Sequence, residues 1–118
     1  TPARRVPRTT EQATLGACFR QMRDTGHVRL PVFSEDGSRC VGVLSALDTF
    51  AASPDPERDR VAAFMRPPLF VRADLRADDV LPLMRKSRQP LAVVRGAAGD
   101  FLGVLTEDSV LNELVGNL

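Results

Sequence analysis

The chain has 118 residues, 43% of them hydrophobic, which suits one soluble domain with a buried core and excludes a disordered segment. Sixteen basic side chains nearly balance fifteen acidic ones, so no overall field exists to hold nucleic acid or an anionic membrane. Cys18 and Cys40 are far apart with no Cys or His at metal spacing, which argues against a zinc site or a redox pair, and no apolar run approaches the roughly 18 residues of a membrane span.

The chain opens at Thr1-Pro2 without an initiator Met and reads as a piece of a longer protein. Residues 1 to 10 are Pro- and Arg-rich and read as an extended lead-in, with Val6 its one buried residue and Arg4, Arg5 and Arg8 solvated. From Gln12 to Arg23, apolar Ala13, Leu15, Cys18, Phe19 and Met22 recur at helical spacing, with Thr9 or Thr10 as the cap and Gly26 as the stop. Val28, Leu30 and Val32 alternate with His27 and Arg29, which predicts a half-buried strand. A turn at residues 34 to 37 leads to a second strand, Cys40 to Leu44, and Ser45 is placed to cap a short helix through Leu47 and Phe50 to Ala52.

Residues 53 to 60 are charged and broken by proline; with the turn that follows they set a linker at 53–64 between a first unit, 1–52, and a second, 65–118. Val61 to Met65 reads as a helical turn and Leu69 to Val71 as a short strand. Val80, Leu81, Leu83 and Met84 supply the apolar face of a helix that Pro82 obliges to start late or kink. Leu91 to Val94 and Phe101 to Leu105 form another hairpin, and a closing helix from Glu107 carries Val110, Leu111, Leu114 and Val115 on one side.

The second half repeats the first. Gly42 and Gly103, Leu44 and Leu105, Val32 and Val93, and Ser45 and Thr106 all pair at one offset of 61 residues. Each copy is helix, strand, strand, helix with a short lead-in strand, which gives an α+β fold class. Ser45 and Asp48 carry the chemistry of interest. A hydroxyl at a helix start can face phosphate, and an ionised carboxylate three residues later can accept from both hydroxyls of a ribose. The same spacing also fits a capping box, in which the acid reaches back to the cap's own N–H. In the second copy Thr106 is followed three residues later by Ser109, with Asp108 shifted one place, and that shift turns a helical side chain by roughly 100°. His27 fits either a contact to a base or phosphate or a plain strand-edge position, and Arg88 and Gln89 either a phosphate contact or a solvated junction. Pro31 has Ala92 opposite it in the repeat. The chain holds no nucleophile, base and orienting-group set, no phosphate loop and no metal-ligand cluster, so it reads as a non-enzyme.

The two copies, the segment Gly26-His27-Val28-Arg29-Leu30-Pro31-Val32, the segment Val41-Gly42-Val43-Leu44-Ser45-Ala46-Leu47-Asp48 and the opening Thr1-Pro2 resemble a tandem cystathionine-β-synthase (CBS) domain pair, or Bateman module. Met65-Arg66-Pro67-Pro68-Leu69-Phe70-Val71, Ser87-Arg88-Gln89 and the ending Leu111 to Gly116 look, more narrowly, like the CorC/HlyC group of haemolysin-like membrane proteins associated with magnesium and cobalt transport. The resemblance implies two repeats packed about a pseudo-twofold axis, pairing of two modules into a homodimer, and a cleft for an adenine nucleotide (ATP, ADP or AMP, with or without Mg2+) and no tightly bound metal. It assigns the base to the backbone of the strand before Pro31, and His27, Arg29 and Pro31, with Gln89 and Leu91 in the second copy, count among the nucleotide-binding candidates. Ser45 and Thr106 then face phosphate, while Asp48, or Ser109 in its place, holds the ribose. It further implies a regulatory, nucleotide-sensing role on the cytoplasmic side of the plasma membrane, between a transmembrane domain and a C-terminal domain. The alternative is a module that has lost its ligand and only dimerises its parent.

Overall fold

A computed structural model describes residues 6 to 116. Thr1-Pro2, Arg4 and Arg5 lie outside them. The chain divides into two compact units, Pro7–Pro68 and the residues from Leu69 onward together with Val6. The first contains β1 (Thr9–Thr10), α1 (Leu15–Thr25), β2 (Arg29–Phe33), β3 (Cys40–Ser45), α2 (Ala46–Ala51) and a 3-10 turn at Val61–Ala63. The second contains β4 (Leu69–Arg72), α3 (Ala77–Ser87), β5 (Leu91–Arg95), β6 (Phe101–Thr106) and α4 (Glu107–Gly116). Each holds a three-stranded sheet in which the lead-in strand runs parallel to the middle strand and the third runs antiparallel to it. The fold is α+β, built twice.

In the first unit α1 lays Leu15, Cys18 and Met22 on Leu30, Val32 and Leu44, as the helical spacing of its apolar residues predicts. Its cap is Thr14, whose Oγ1 accepts from the Ala17 N–H at 3.2 Å, and not Thr9 or Thr10. Those two residues are drawn instead into β1, opposite Val32 and Phe33. Gly26 ends α1 at φ 75°, donating its N–H to the Met22 carbonyl at 2.9 Å, a conformation a Cβ would strain.

The strand over residues 28 to 32 does not alternate. Val28 is exposed, whereas Leu30, Pro31, Val32 and Phe33 are all buried, because β2 is the middle strand and both its faces are covered. Pro31 is tolerated there because the N–H and C=O of Val43, opposite it, both bond to Arg66, so that pair needs no donor from the proline.

The segment expected as a linker is tied to the first unit. The Leu15 and Gly16 N–H groups, left without helical partners at the start of α1, donate to the carbonyls of Asp59 and Pro56 at 3.0 and 2.8 Å. Val61 is fully buried in the same core, and the compact units divide at Pro68.

In the second unit Val80 and Met84 of α3 and Val110 of α4 cover Val71 and Ala92. Leu83 and Val115, expected on buried faces, are largely exposed. Pro82 sits inside α3, which begins well ahead of it at Ala77, so the late start does not occur. Asp78 and Asp79 in the first turn suit the helix dipole, and burial of Val80 and Met84 offsets the missing bond. Arg88 ends α3 in the left-handed conformation at φ 53°, where α1 has Gly26.

The register corrects the offset of the repeat. Val32 faces Gly42 and Val94 faces Gly103, so the middle strands are related by 62 residues and the third strands by 61. The second hairpin loop is one residue shorter. Val93, not Ala92, therefore stands where the first copy has Pro31, and Val94, not Val93, matches Val32.

Candidate functional site

The candidate residues of the first unit gather where β2, β3 and α2 meet. Arg29 and Ser45 are direct partners across the β2–β3 ladder, and Pro31 faces Val43 two residues further along. With a period of two, Arg29, Pro31, Val43 and Ser45 share one face of the sheet, opposite the face that Leu30, Val32 and Leu44 turn to α1. Pro31 is buried, Arg29 and Ser45 are half-buried, and His27 is exposed just before the strand.

Ser45 holds the N-cap position of α2 with extended backbone, but its side chain makes no capping bond. The start of α2 is fixed by other groups. The Ala46 N–H donates to the Val28 carbonyl at 2.9 Å, and the buried Thr49 hydroxyl donates to the Ser45 carbonyl at 2.6 Å. Asp48 does not close a box with Ser45. Its Oδ2 pairs with Arg66 Nε at 2.8 Å, with the two side chains 38% and 56% exposed.

Sequence reasoning did not single out Arg66 as a site residue. It arrives from outside the motif, through an antiparallel bridge in which Arg66 and Val43 exchange both backbone bonds at 2.9 Å. Gly42 makes this approach possible, since a Cβ there would lie 2.8 Å from Met65 Sδ and 3.0 Å from the Arg66 carbonyl. The signal in the sequence was the glycine itself, a residue that in a strand interior often marks a close backbone approach. Paired across the bridge, Arg66 projects from the same face as Val43 and Ser45.

The second unit builds the corresponding place differently. Leu91 faces Thr106 as Arg29 faces Ser45, and Gln89 stands where the first copy has His27. Leu91 is buried. Thr106 and Ser109 form a reciprocal box: the Ser109 N–H donates to Thr106 Oγ1 at 3.1 Å, and the Thr106 N–H donates to Ser109 Oγ at 3.0 Å. The Ser109 hydroxyl also donates to the Thr106 carbonyl at 2.8 Å. Both side chains are thus engaged by their own helix, α4.

No group of three His, Cys, Asp or Glu side chains able to hold a metal occurs among the described residues, and no helix there is long and apolar enough to cross a membrane. Burial pushes the Cys18 thiol up to about 11 and raises Cys40 as well, so both are protonated at neutral pH.

The profile of the CBS domain matches residues 2–55 and 61–116. The chain is 32% identical over 129 aligned residues to a UPF0053 protein of Mycobacterium tuberculosis, covering 100% of this chain and 30% of that protein. It is 30% identical over 105 residues to the magnesium and cobalt efflux protein CorC of Vibrio cholerae, covering 88% of this chain and 36% of that protein. The chain thus spans about a third of the length of the curated relatives it matches. Among solved structures, the CBS domain of the bacterial CNNM/CorC family Mg2+ transporter in complex with ATP superposes with a TM-score of 0.89 at 29% identity, over 98% of this chain and 83% of that one. A second structure of the CBS domain of the bacterial CNNM/CorC family Mg2+ transporter matches with a TM-score of 0.89 at 28% identity, over 100% of this chain and 73% of that one.

Proposed function

The chain belongs to the CBS domain family as a tandem pair, and on that premise we propose that it is the adenine-nucleotide-sensing regulatory module of a CorC/HlyC-like membrane protein linked to magnesium or cobalt transport. The observation that carries this reading is the open Ser45–Asp48 pair, whose hydroxyl makes no cap bond and whose carboxylate is directed away from its own helix. In this reading the nucleotide lies at the Arg29–Ser45 end of β2 and β3, where their shared face is only half-buried. The strand around Arg29 and Pro31 takes the base, with His27 at its rim. Asp48 accepts from the ribose hydroxyls, and Ser45 faces phosphate, whose charge Mg2+ offsets in solution. ATP complexed with a similar CBS domain supports an adenine nucleotide as the ligand class. Thr106, Ser109, Gln89 and Leu91 contribute less, since the first two are closed on one another and Leu91 offers no charge.

Sensing then follows from differential binding. A nucleotide that favours one state of the module shifts its population, and the shift passes to the attached domains. Those are a transmembrane domain and a C-terminal domain, with the module on the cytoplasmic side and paired as a homodimer.

A second reading, a ligand-free module that only dimerises its parent, is favoured by the closed Thr106–Ser109 box and by the exposed apolar side chains Leu47 and Phe50 on α2. Calorimetric titration with ATP, ADP and AMP, with and without magnesium, separates the two. Saturable binding that disappears in Asp48→Ala supports the sensor. Absence of heat and of thermal stabilisation at millimolar nucleotide sinks it and leaves the dimerisation reading.

A further inference from the structure

We infer that Arg66 is a phosphate-binding residue, held on Asp48 while the site is empty and transferred to the nucleotide's phosphates when the ribose takes its place. The inference rests on the nucleotide reading of the Ser45–Asp48 pair and adds to it a residue from outside the motif. Four observations carry it.

The guanidinium lies at the acceptor that the ribose would need, with Nε 2.8 Å from Asp48 Oδ2. Ribose hydroxyls and Arg66 therefore compete for one carboxylate. The pair is also easily broken, because both side chains are more than a third exposed and solvent screens an exposed ion pair.

The backbone of Arg66 is held on both sides, while its side chain is more than half exposed. Both of its main-chain bonds to Val43 are 2.9 Å, and Gly42 leaves room for Met65 alongside. A displaced guanidinium consequently stays within reach of the site and does not leave with a loop. Its direction is set too, since Arg66 shares with Ser45 the face on which the phosphates would lie.

A guanidinium presents several donors in a planar fork, and phosphate oxygens accept them two at a time. Transfer from a shared carboxylate oxygen to a polyphosphate exchanges one charge-assisted contact for a stronger one. The expected consequence is a preference rising with phosphate number, which Asp48 and Ser45 alone do not supply. Within the second unit, Leu91 and Ser109 replace Arg29 and Asp48, so no carboxylate stands at that point to hold a waiting cation.

The test is titration of wild type, Arg66→Ala and Arg66→Lys with adenosine, AMP and ATP, with Asp48→Ala beside them and melting curves to confirm folding. Arg66→Ala is expected to weaken ATP by about ten- to a hundredfold while leaving adenosine unchanged or tighter, and Lys is expected to recover part of the loss. Equal weakening of adenosine and ATP would show Arg66 to be a prop for Asp48, and an unchanged ATP affinity would show it to be a solvated partner; either overturns the inference while leaving the nucleotide site standing. Wild type that binds no nucleotide, or binds equally well as Asp48→Ala, overturns the site and the inference together.

Discussion

The first turns of α2 and α4 begin from corresponding residues and end in opposite states. Ser45 and Asp48 look outward, the hydroxyl unused by its helix and the acid on Arg66, whereas Thr106 and Ser109 bond to each other and to their own backbone. The difference is one of chemistry at a single position. A serine three residues after the cap is both donor and acceptor and short enough to fold back, while an ionised aspartate attracts a cation from elsewhere in the chain. One copy therefore leaves these polar groups unused by its own helix, and the other turns them to helix stability.

Core substitutions should reveal the largest asymmetry between the copies. Leu44 is fully buried in the first unit and Leu105 only partly so at the matching place in the second. Leu44→Ala is expected to cost about 3 kcal/mol in urea unfolding and Leu105→Ala about half that. Equal losses would mean that the two cores are closed to the same degree.

Next in size is Gly42→Ala. The added methyl meets Met65 and the Arg66 carbonyl at 2.8 to 3.0 Å, so about 1–3 kcal/mol of stability should be lost along with the Arg66 bridge. Nucleotide affinity and stability measured on the same variant would link the bridge to the site.

The caps sharpen the contrast directly. Thr106→Ala should cost about 1 kcal/mol because it opens a reciprocal box, while Ser45→Ala should leave stability within about 0.5 kcal/mol because it removes no cap bond. A comparable loss at both positions, read from thermal or urea midpoints, would contradict the open state of Ser45.

Smallest is a pH effect confined to the first unit. The Cys18 thiol is raised in the folded chain from 9.0 to about 11, so the folded state holds its proton more tightly than the unfolded one. Its contribution is whole below about pH 9 and is lost as pH rises from there through about 11. Cys18→Ser should flatten the alkaline limb of a stability profile, and thiol reagents should label wild type only on unfolding.

Cation–aromatic contacts show the repeat from another side. Arg8 lies over Phe33 at 4.3 Å in the first unit, and Arg95 lies over Phe70 at 3.7 Å in the second. By strand register Arg8 corresponds to Phe70 and Phe33 to Arg95, so the pair is kept while its members exchange strands. No comparison of single aligned positions reveals this, since arginine meets phenylalanine in each. The one-residue shift in offset was hidden for a related reason. Val93 and Val94 are adjacent and alike, and only the bonding opposite Gly103 distinguishes which of them matches Val32.

By itself the sequence determined the α+β repeat, the helix faces of α1 and α4 near Val110, the stop at Gly26 and the pairing of Ser45 with Thr106, because apolar period and glycine position are local properties of the chain. Its Ser-x-x-Asp spacing left capping and ligand binding open, since both use the same groups at the same distance. Tertiary structure ruled out the capping box at Asp48, whose carboxylate pairs with Arg66, delivered from 18 residues away by a backbone bridge over Gly42. It also buried both faces of β2 and drew Thr9 and Thr10 into β1, which left the cap of α1 to Thr14. Such outcomes depend on which distant carbonyl or side chain reaches a group first, and no local pattern carries that.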